Sequence, residues 1–281
     1  MSKQFRFATR TDIGHLRKNN EDAVVDPEST PTEEKALLQH GWLFIVADGM
    51  GGAQAGEVAS NLATETIHRL FYQAPSRMPR REALDRAVRS ANQVVYERSQ
   101  QDPALSGMGT TATAVAIQNR YVTIAQVGDS RCYLCQKSHL QQITRDHSYV
   151  QEMLDRGFLT PEEARDHPYR NRITRVLGTS STVEPDLFDL LLHPGDTLLL
   201  CSDGLTGELP DEEIEAILVN AANPAEAADR LVETALLKEG RDNISVIVIQ
   251  TDPHNTLLFK DSIGSLFRKI GQAVSGKKRD R

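Results

Sequence analysis

The chain has 281 residues, 39% hydrophobic and 25% charged, with a net charge of −7. This is enough apolar material for one large domain or two small ones, and no apolar run approaches the length of a membrane span. Residues 251–281 carry seven Lys/Arg against three Asp, which leaves −11 on residues 1–250, an acidic body that argues against broad nucleic-acid binding.

In chain order, residues 5–9 read as a first strand and 13–22 as a loop. Residues 26–40 (DPESTPTEEKALLQH) are polar and read as a surface excursion. The continuous apolar run at 42–47 predicts a buried strand, followed by the glycine-rich 49–52. Helices are predicted over 56–71, where Val58, Leu62, Ile67 and Leu70 recur at helical spacing, and over 81–99. The period then changes. Residues 110–117 and 121–127 predict a hairpin around 118–120, and 131–135 with 139–143 a second one. Residues 146–176 are polar with short helical pieces and read as an inserted flap. Strands at 187–192 and 197–202 are predicted to form a hairpin around the turn His193-Pro194-Gly195-Asp196. Helices near 212–220 and 225–238 and a last strand at 244–250 close the pattern. Strands and helices come in blocks rather than βαβ repeats, which predicts an α+β fold with antiparallel strands and helices layered outside.

Three apolar runs end in aspartate, each reading as a strand that hands a carboxylate to a loop: FIVAD at Asp48, TIAQVGD at Asp129 and LLLCSD at Asp203. Glu21-Asp22 and Asp242 bracket them. One Asp-Gly is ordinarily a turn; several carboxylates at the ends of core strands predict a single acidic pocket at a sheet edge. Crowded carboxylates raise each other's pKa unless a cation neutralises them, and an oxygen-only set suits Mg²⁺ or Mn²⁺. Gly49 lets the backbone approach such an ion, so that its carbonyl can ligate. Arg17, four residues before Glu21, can grip a phosphate in a bidentate way.

Six ordered motifs now stand together: RKNNED at 17–22, VADGMGG at 46–52, GTT at 109–111, VGDSR at 127–131, CSDGL at 201–205 and GRDN at 240–243. Over residues 5–250 the chain resembles the metal-dependent Ser/Thr protein phosphatases of the type 2C family, and its DGMGG form is like the bacterial branch. The resemblance implies a four-layer αββα sandwich, with two mainly antiparallel sheets face to face, helices outside and a flap beside the cleft that helps choose substrates. It implies two Mn²⁺ or Mg²⁺ ions, bridged by Asp48, with the Gly49 carbonyl on one and Asp203 and Asp242 completing the first site. Glu21 and Asp22 are expected to act through bound waters. A weaker third ion would use Asp129 and Asp203. Arg17 is expected to hold the substrate phosphate, so that Asp48, Arg17 and Asp203 form the catalytic set. The implied reaction is in-line attack by metal-activated water on phosphoserine or phosphothreonine in proteins, without a phosphoenzyme and reversing a cognate Ser/Thr kinase. The alternatives are a dedicated phosphatase of an anti-sigma-antagonist pathway and an inactive phosphoprotein-binding scaffold. Animal members of the family place a histidine where this chain has Met50, which cannot donate a proton. Solvent or a third ion would take that role, with His147 and His167 as weaker candidates.

Other signals point to less. Cys132 and Cys135 lie three apart on a predicted strand, so their thiols diverge and read as packing rather than a zinc site. No GxSxG elbow, P-loop or cysteine-phosphatase spacing occurs. Three cysteines and an N-terminus without an apolar stretch lead us to expect a cytoplasmic monomer. The phosphatase domain is expected over 1–252. The tail, 253–281, reads as a basic amphipathic helix that touches a membrane surface or an acidic partner, or else packs on its own acidic core.

Overall fold

The computed structural model describes residues 5–30, 32–51, 54–165 and 167–253. The chain runs β1 (Phe5–Asp12), β2 (Asp22–Val25), α1 (Glu34–His40), β3 (Trp42–Met50), α2 (Ala55–Tyr72) and α3 (Arg80–Gln101). It continues through β4 (Gly109–Thr110), β5 (Ala112–Gln118), β6 (Tyr121–Val127), β7 (Arg131–Gln136) and β8 (His139–Gln142). After the flap helices α4 (Tyr149–Asp155) and α5 (Pro161–Arg165) come β9 (Asp186–Leu191) and β10 (Thr197–Cys201). The single turn α6 (Asp203–Thr206), then α7 (Asp211–Asn220), α8 (Pro224–Lys238) and β11 (Ile244–Thr251) complete the described fold.

One sheet orders its strands β1-β11-β10-β7-β8 and the other β2-β3-β5-β6-β9, with β4 on the end of β3. The pairings are antiparallel. The period of two along each strand builds the layers. On β3, Leu43 and Ile45 face α2 and α3, while Phe44 and Val46 enter the core between the sheets. On β11, Ile244, Val246 and Val248 face α7 and α8, while Ile247 and Ile249 enter the same inter-sheet core. Both faces of these strands are covered, which is why their sequences are continuously apolar. The architecture is the α+β sandwich of two antiparallel sheets flanked by helices. Cys132 lies in the inter-sheet core and Cys135 on the helix side, as their spacing predicts.

Four local readings need correction. The strands at 187–192 and 197–202 do not form a hairpin: β9 pairs with β6 and β10 with β7 and β11, so the turn at 193–196 carries the chain from one sheet to the other. The chain between Val127 and Arg131 makes the same crossing. Asp48 is not handed to a loop, because β3 continues through it to Met50 and pairs it with Asp22. The excursion at 26–40 contains α1, which packs His40 against Phe71 and Tyr72. Strand β2 lies where no element was expected, because four residues are too few to show a period. The expected tail lies outside the described residues, apart from Pro253.

Candidate active site and metal centre

The ends of β3, β6 and β10 and the starts of β2 and β11 meet at one edge of the sandwich. Asp22 and Asp48 face each other across β2 and β3. Gly49 holds this junction tight: a Cβ there would stand 2.0 Å from the Gly56 carbonyl oxygen and 2.7 Å from that of Glu21. Asp203 opens α6 directly after β10, Asp242 immediately precedes β11, and Asp129 lies between β6 and β7. Arg17 sits on the loop between β1 and β2 and donates to Asp242 Oδ2 at 2.6 Å. All seven side-chain candidates (Arg17, Glu21, Asp22, Asp48, Asp129, Asp203 and Asp242) fall in one electrostatic cluster.

Burial dominates the electrostatics. It pushes the Asp22 carboxyl up to about 7, with Ser245 and Ser202 hydrogen bonds opposing and the charges of Asp203 and Asp242 reinforcing. Asp48 is raised well above the carboxylate range by burial and then by Asp203, Asp22 and Asp129. Asp129 is raised by burial and then by Asp203 and Asp146, against Arg131. Asp203 is raised by burial and then by Asp242. Glu21 is raised by burial, with Arg17 opposing.

The donor set fits a hard divalent cation. Asp22 Oδ1, Asp129 Oδ1 and Asp203 Oδ1 are buried with no hydrogen-bond partner, an arrangement that costs free energy unless something positive satisfies it. Among the described residues no group of three or more Asp, Glu, His or Cys side chains stands in an arrangement that could hold a metal ion as it is. Asp242 is held by Arg17 instead, so the two residues given separate tasks by the sequence reading pair with each other here.

A family profile described as protein phosphatase 2C matches residues 28–239. The chain belongs to the protein phosphatase 2C family. It is 39% identical over 248 residues to the serine/threonine phosphatase stp of Listeria monocytogenes, covering 86% of this chain and 94% of that one. It is 41% identical over 244 residues to the serine/threonine protein phosphatase PstP of Mycobacterium tuberculosis, covering 86% of this chain and 44% of that longer protein. The crystal structure of the PstP catalytic domain in complex with two manganese ions superposes with a TM-score of 0.76 at 38% identity, over 88% of this chain and 98% of that one. The protein is accordingly a protein-serine/threonine phosphatase. The relatives give no support to an anti-sigma-antagonist role or to an inactive scaffold.

Residues that the sequence reading left without a role hold the phosphatase's carboxylates in place. The Asp48 N–H donates to Thr111 Oγ1 at 2.9 Å, and Thr110 Oγ1 donates to the Asp48 carbonyl at 2.9 Å. Thr111 shares a 2.7 Å hydrogen bond with Ser130, the neighbour of Asp129. Ser202 Oγ donates to Asp22 Oδ2 at 2.7 Å and accepts from the Ser245 N–H at 3.0 Å, joining the two sheets. Asn243 ties down the Arg17 loop: its amide donates to the carbonyls of Ile13 and Asn19, and its Oδ1 accepts from the Glu21 N–H. Gly14, at φ +75°, lets that loop cross the Asp242 carbonyl, where a Cβ would stand 2.2 Å away. The signal for these residues was present in the GTT, VGDSR, CSDGL and GRDN motifs, but hydroxyl and amide roles depend on partners far away in sequence.

A cleft of about 430 Å³ opens from the carboxylates toward the flap. Asp129 and Asp203 line one side, and Val150, Leu154 and Arg170 of the flap line another. The histidines considered as acids differ. His147 is buried and held neutral, its pKa lowered by burial and then by the Arg175 charge. His167 packs against Tyr149 and Tyr169.

Proposed function

We propose that the acidic cluster is the metal-loaded hydrolytic centre of this phosphatase, with Asp48, the Gly49 carbonyl, Asp203 and Asp242 as direct ligands of two Mn²⁺ or Mg²⁺ ions. Glu21 and Asp22 act through waters, and Asp129 with Asp203 takes a third, weaker ion. The observation that carries this reading is the set of three orphaned carboxylate oxygens on Asp22, Asp129 and Asp203. Bound ions cancel the repulsion among the carboxylates and supply a nucleophilic water at neutral pH. Arg17 orients the phosphate through its guanidinium fork. Arg17 and Asp242 satisfy each other in this structure, so a cation at Asp242 and a phosphate at Arg17 each replace one half of that pair. Met50 carries no proton, and both nitrogens of His147 face protein partners, so the leaving serine oxygen takes its proton from solvent.

The substrates are phosphoproteins made by a cognate Ser/Thr kinase, and residues 1–252 form the catalytic unit of a monomer. Three free, buried cysteines support a reducing cytoplasm. Hydrolysis of a phosphothreonine peptide with and without added Mn²⁺ tests the centre, alongside calorimetric Mn²⁺ binding to wild type and Asp203→Asn. Metal-independent turnover, or binding unchanged in the variant, defeats this reading.

A further inference from the structure

His147 is joined to the Asp129 loop and to both legs of the flap. Its side chain is 7% exposed. Nδ1 accepts from the Gly128 N–H at 3.0 Å, and the His147 N–H donates to the Gly128 carbonyl at 3.0 Å. The ring and the backbone of one residue therefore bracket the residue before Asp129. Gly128 has φ +105°, and a Cβ there would meet Thr111 at 2.5 Å, so the position requires glycine, and its hydrogen bonds rather than its own backbone preference must hold it. On the flap side, the His147 carbonyl accepts from the Thr174 N–H at 2.7 Å, drawing the outgoing leg onto the incoming one. With Nδ1 accepting, the ring proton belongs on Nε2, which lies 3.3 Å from Asp186 Oδ2 at the start of β9; Arg175 Nη1, 3.0 Å from the same nitrogen, can only donate and so makes no hydrogen bond to it in this tautomer. Asp186 Oδ1 in turn accepts from Arg175 at 2.7 Å. One ring thus connects a loop between the sheets, the base of the flap and a sheet-edge strand.

We propose that His147 is a positioning residue that sets the Asp129 carboxylate for cation binding by locking its loop to the flap. The proposal rests on the reading of Asp129 as part of the metal centre. It adds that the flap, rather than the sheets alone, fixes that carboxylate. Asp129 leaves one oxygen buried and unpartnered, so its usefulness as a ligand depends on where its backbone is held, and His147 holds that backbone from both sides.

The test compares His147→Gln, His147→Asn and Asp186→Ala with wild type in the full chain. Asparagine keeps an acceptor near the Nδ1 position but cannot reach Asp186, whereas glutamine reaches Asp186 but loses that acceptor. Three readouts are followed: calorimetric Mn²⁺ binding, the Mn²⁺ concentration that half-saturates p-nitrophenyl phosphate hydrolysis, and the melting temperature. In His147→Gln, binding of the weakest ion and the half-saturation point should each worsen by about tenfold or more, the usual cost of losing a residue that orients a ligand. His147→Asn should recover part of that loss, because it keeps the acceptor for Gly128 but not the reach to Asp186. Equal losses in both variants that track the melting temperature would assign His147 to packing and overturn the proposal. Unchanged Mn²⁺ binding in both would overturn it as well. If neither His147 variant folds, Asp186→Ala decides, because it cuts the latch at a residue that is 39% exposed: weaker Mn²⁺ binding upholds the coupling and unchanged binding ends it. Wild type without Mn²⁺-dependent turnover breaks the phosphatase reading itself. Turnover that needs Asp203 but is blind to His147 breaks only this inference.

Discussion

The floor of the site and the flap beside it are built on opposite terms. On the floor, backbone and hydroxyl groups are satisfied around Asp48, Thr111, Ser130, Ser202 and Asn243, yet the carboxylates they hold repel one another and three oxygens lack partners. In the flap the charges are satisfied instead: Arg145 pairs with Asp155 and Arg175 with Asp186, while α4 buries no residue. The floor is geometrically determined and electrostatically frustrated; the flap is electrostatically satisfied and lightly packed. Catalysis by an ion needs the first condition, because unsatisfied negative charge is what binds a cation. The flap helix α4 has little packing to lose if it shifts.

The sharpest way to break this comparison is Asp203→Asn. With Mn²⁺, kcat/KM for a phosphopeptide should fall by about 10³-fold, since several kcal/mol of transition-state stabilisation goes with the ligand. In EDTA the same variant should melt about 2–4 °C higher than wild type, because a like charge has gone. A lower melting temperature in EDTA would mean that the floor is not frustrated.

The second effect is a pH dependence of the metal-free protein. Asp22, Asp48, Asp129 and Asp203 have folded pKa values raised above their unfolded ones, so in this group the folded state binds more protons than the unfolded state. Their contribution is fully present at low pH and is lost as pH rises through about 7, the value for Asp22. His40, His68 and His147, lowered by burial, act in the opposite sense, and their cost appears only as pH falls below about 6.5. Metal-free melting temperature should therefore fall from about pH 6.5 to pH 8, and saturating Mn²⁺ should cancel the fall. Thermal scans in EDTA and in Mn²⁺ across that range check it.

Smaller changes compare the two regions directly. Ser202→Ala strips a hydrogen bond from Asp22 and an acceptor from the Ser245 N–H, at a cost of about 1–3 kcal/mol in urea unfolding. Arg170→Ala, on the flap wall of the cleft, should raise KM for a phosphopeptide about threefold to tenfold while barely moving that for p-nitrophenyl phosphate, the size of one ordinary hydrogen bond. Arg156→Ala removes an exposed flap pair with Glu152 and should change stability by less than about 0.5 kcal/mol.

The chain of residues was informative wherever chemistry is local. Continuous apolar strands ending in acidic residues, the helical spacing of α2 and α3, and Asn119 at φ +57° between β5 and β6 are all nearest-neighbour properties, and they led to the correct fold class and the acidic cluster. Pairing across sheets was not local. Whether β10 follows β9 as a hairpin or crosses to the other sheet depends on which faces the two strands must bury, and their turn reads the same in either case. Likewise, the motifs marked Arg17 and Asp242 as important but could not show that they hold each other at 2.6 Å across 225 residues of chain. The sequence alone determined which groups carry the charge, because side-chain chemistry travels with the residue. Only the tertiary structure decided which oxygens remain unsatisfied and which histidine is buried as a latch, because partnership and solvent exclusion are set by segments that meet only when the two sheets close.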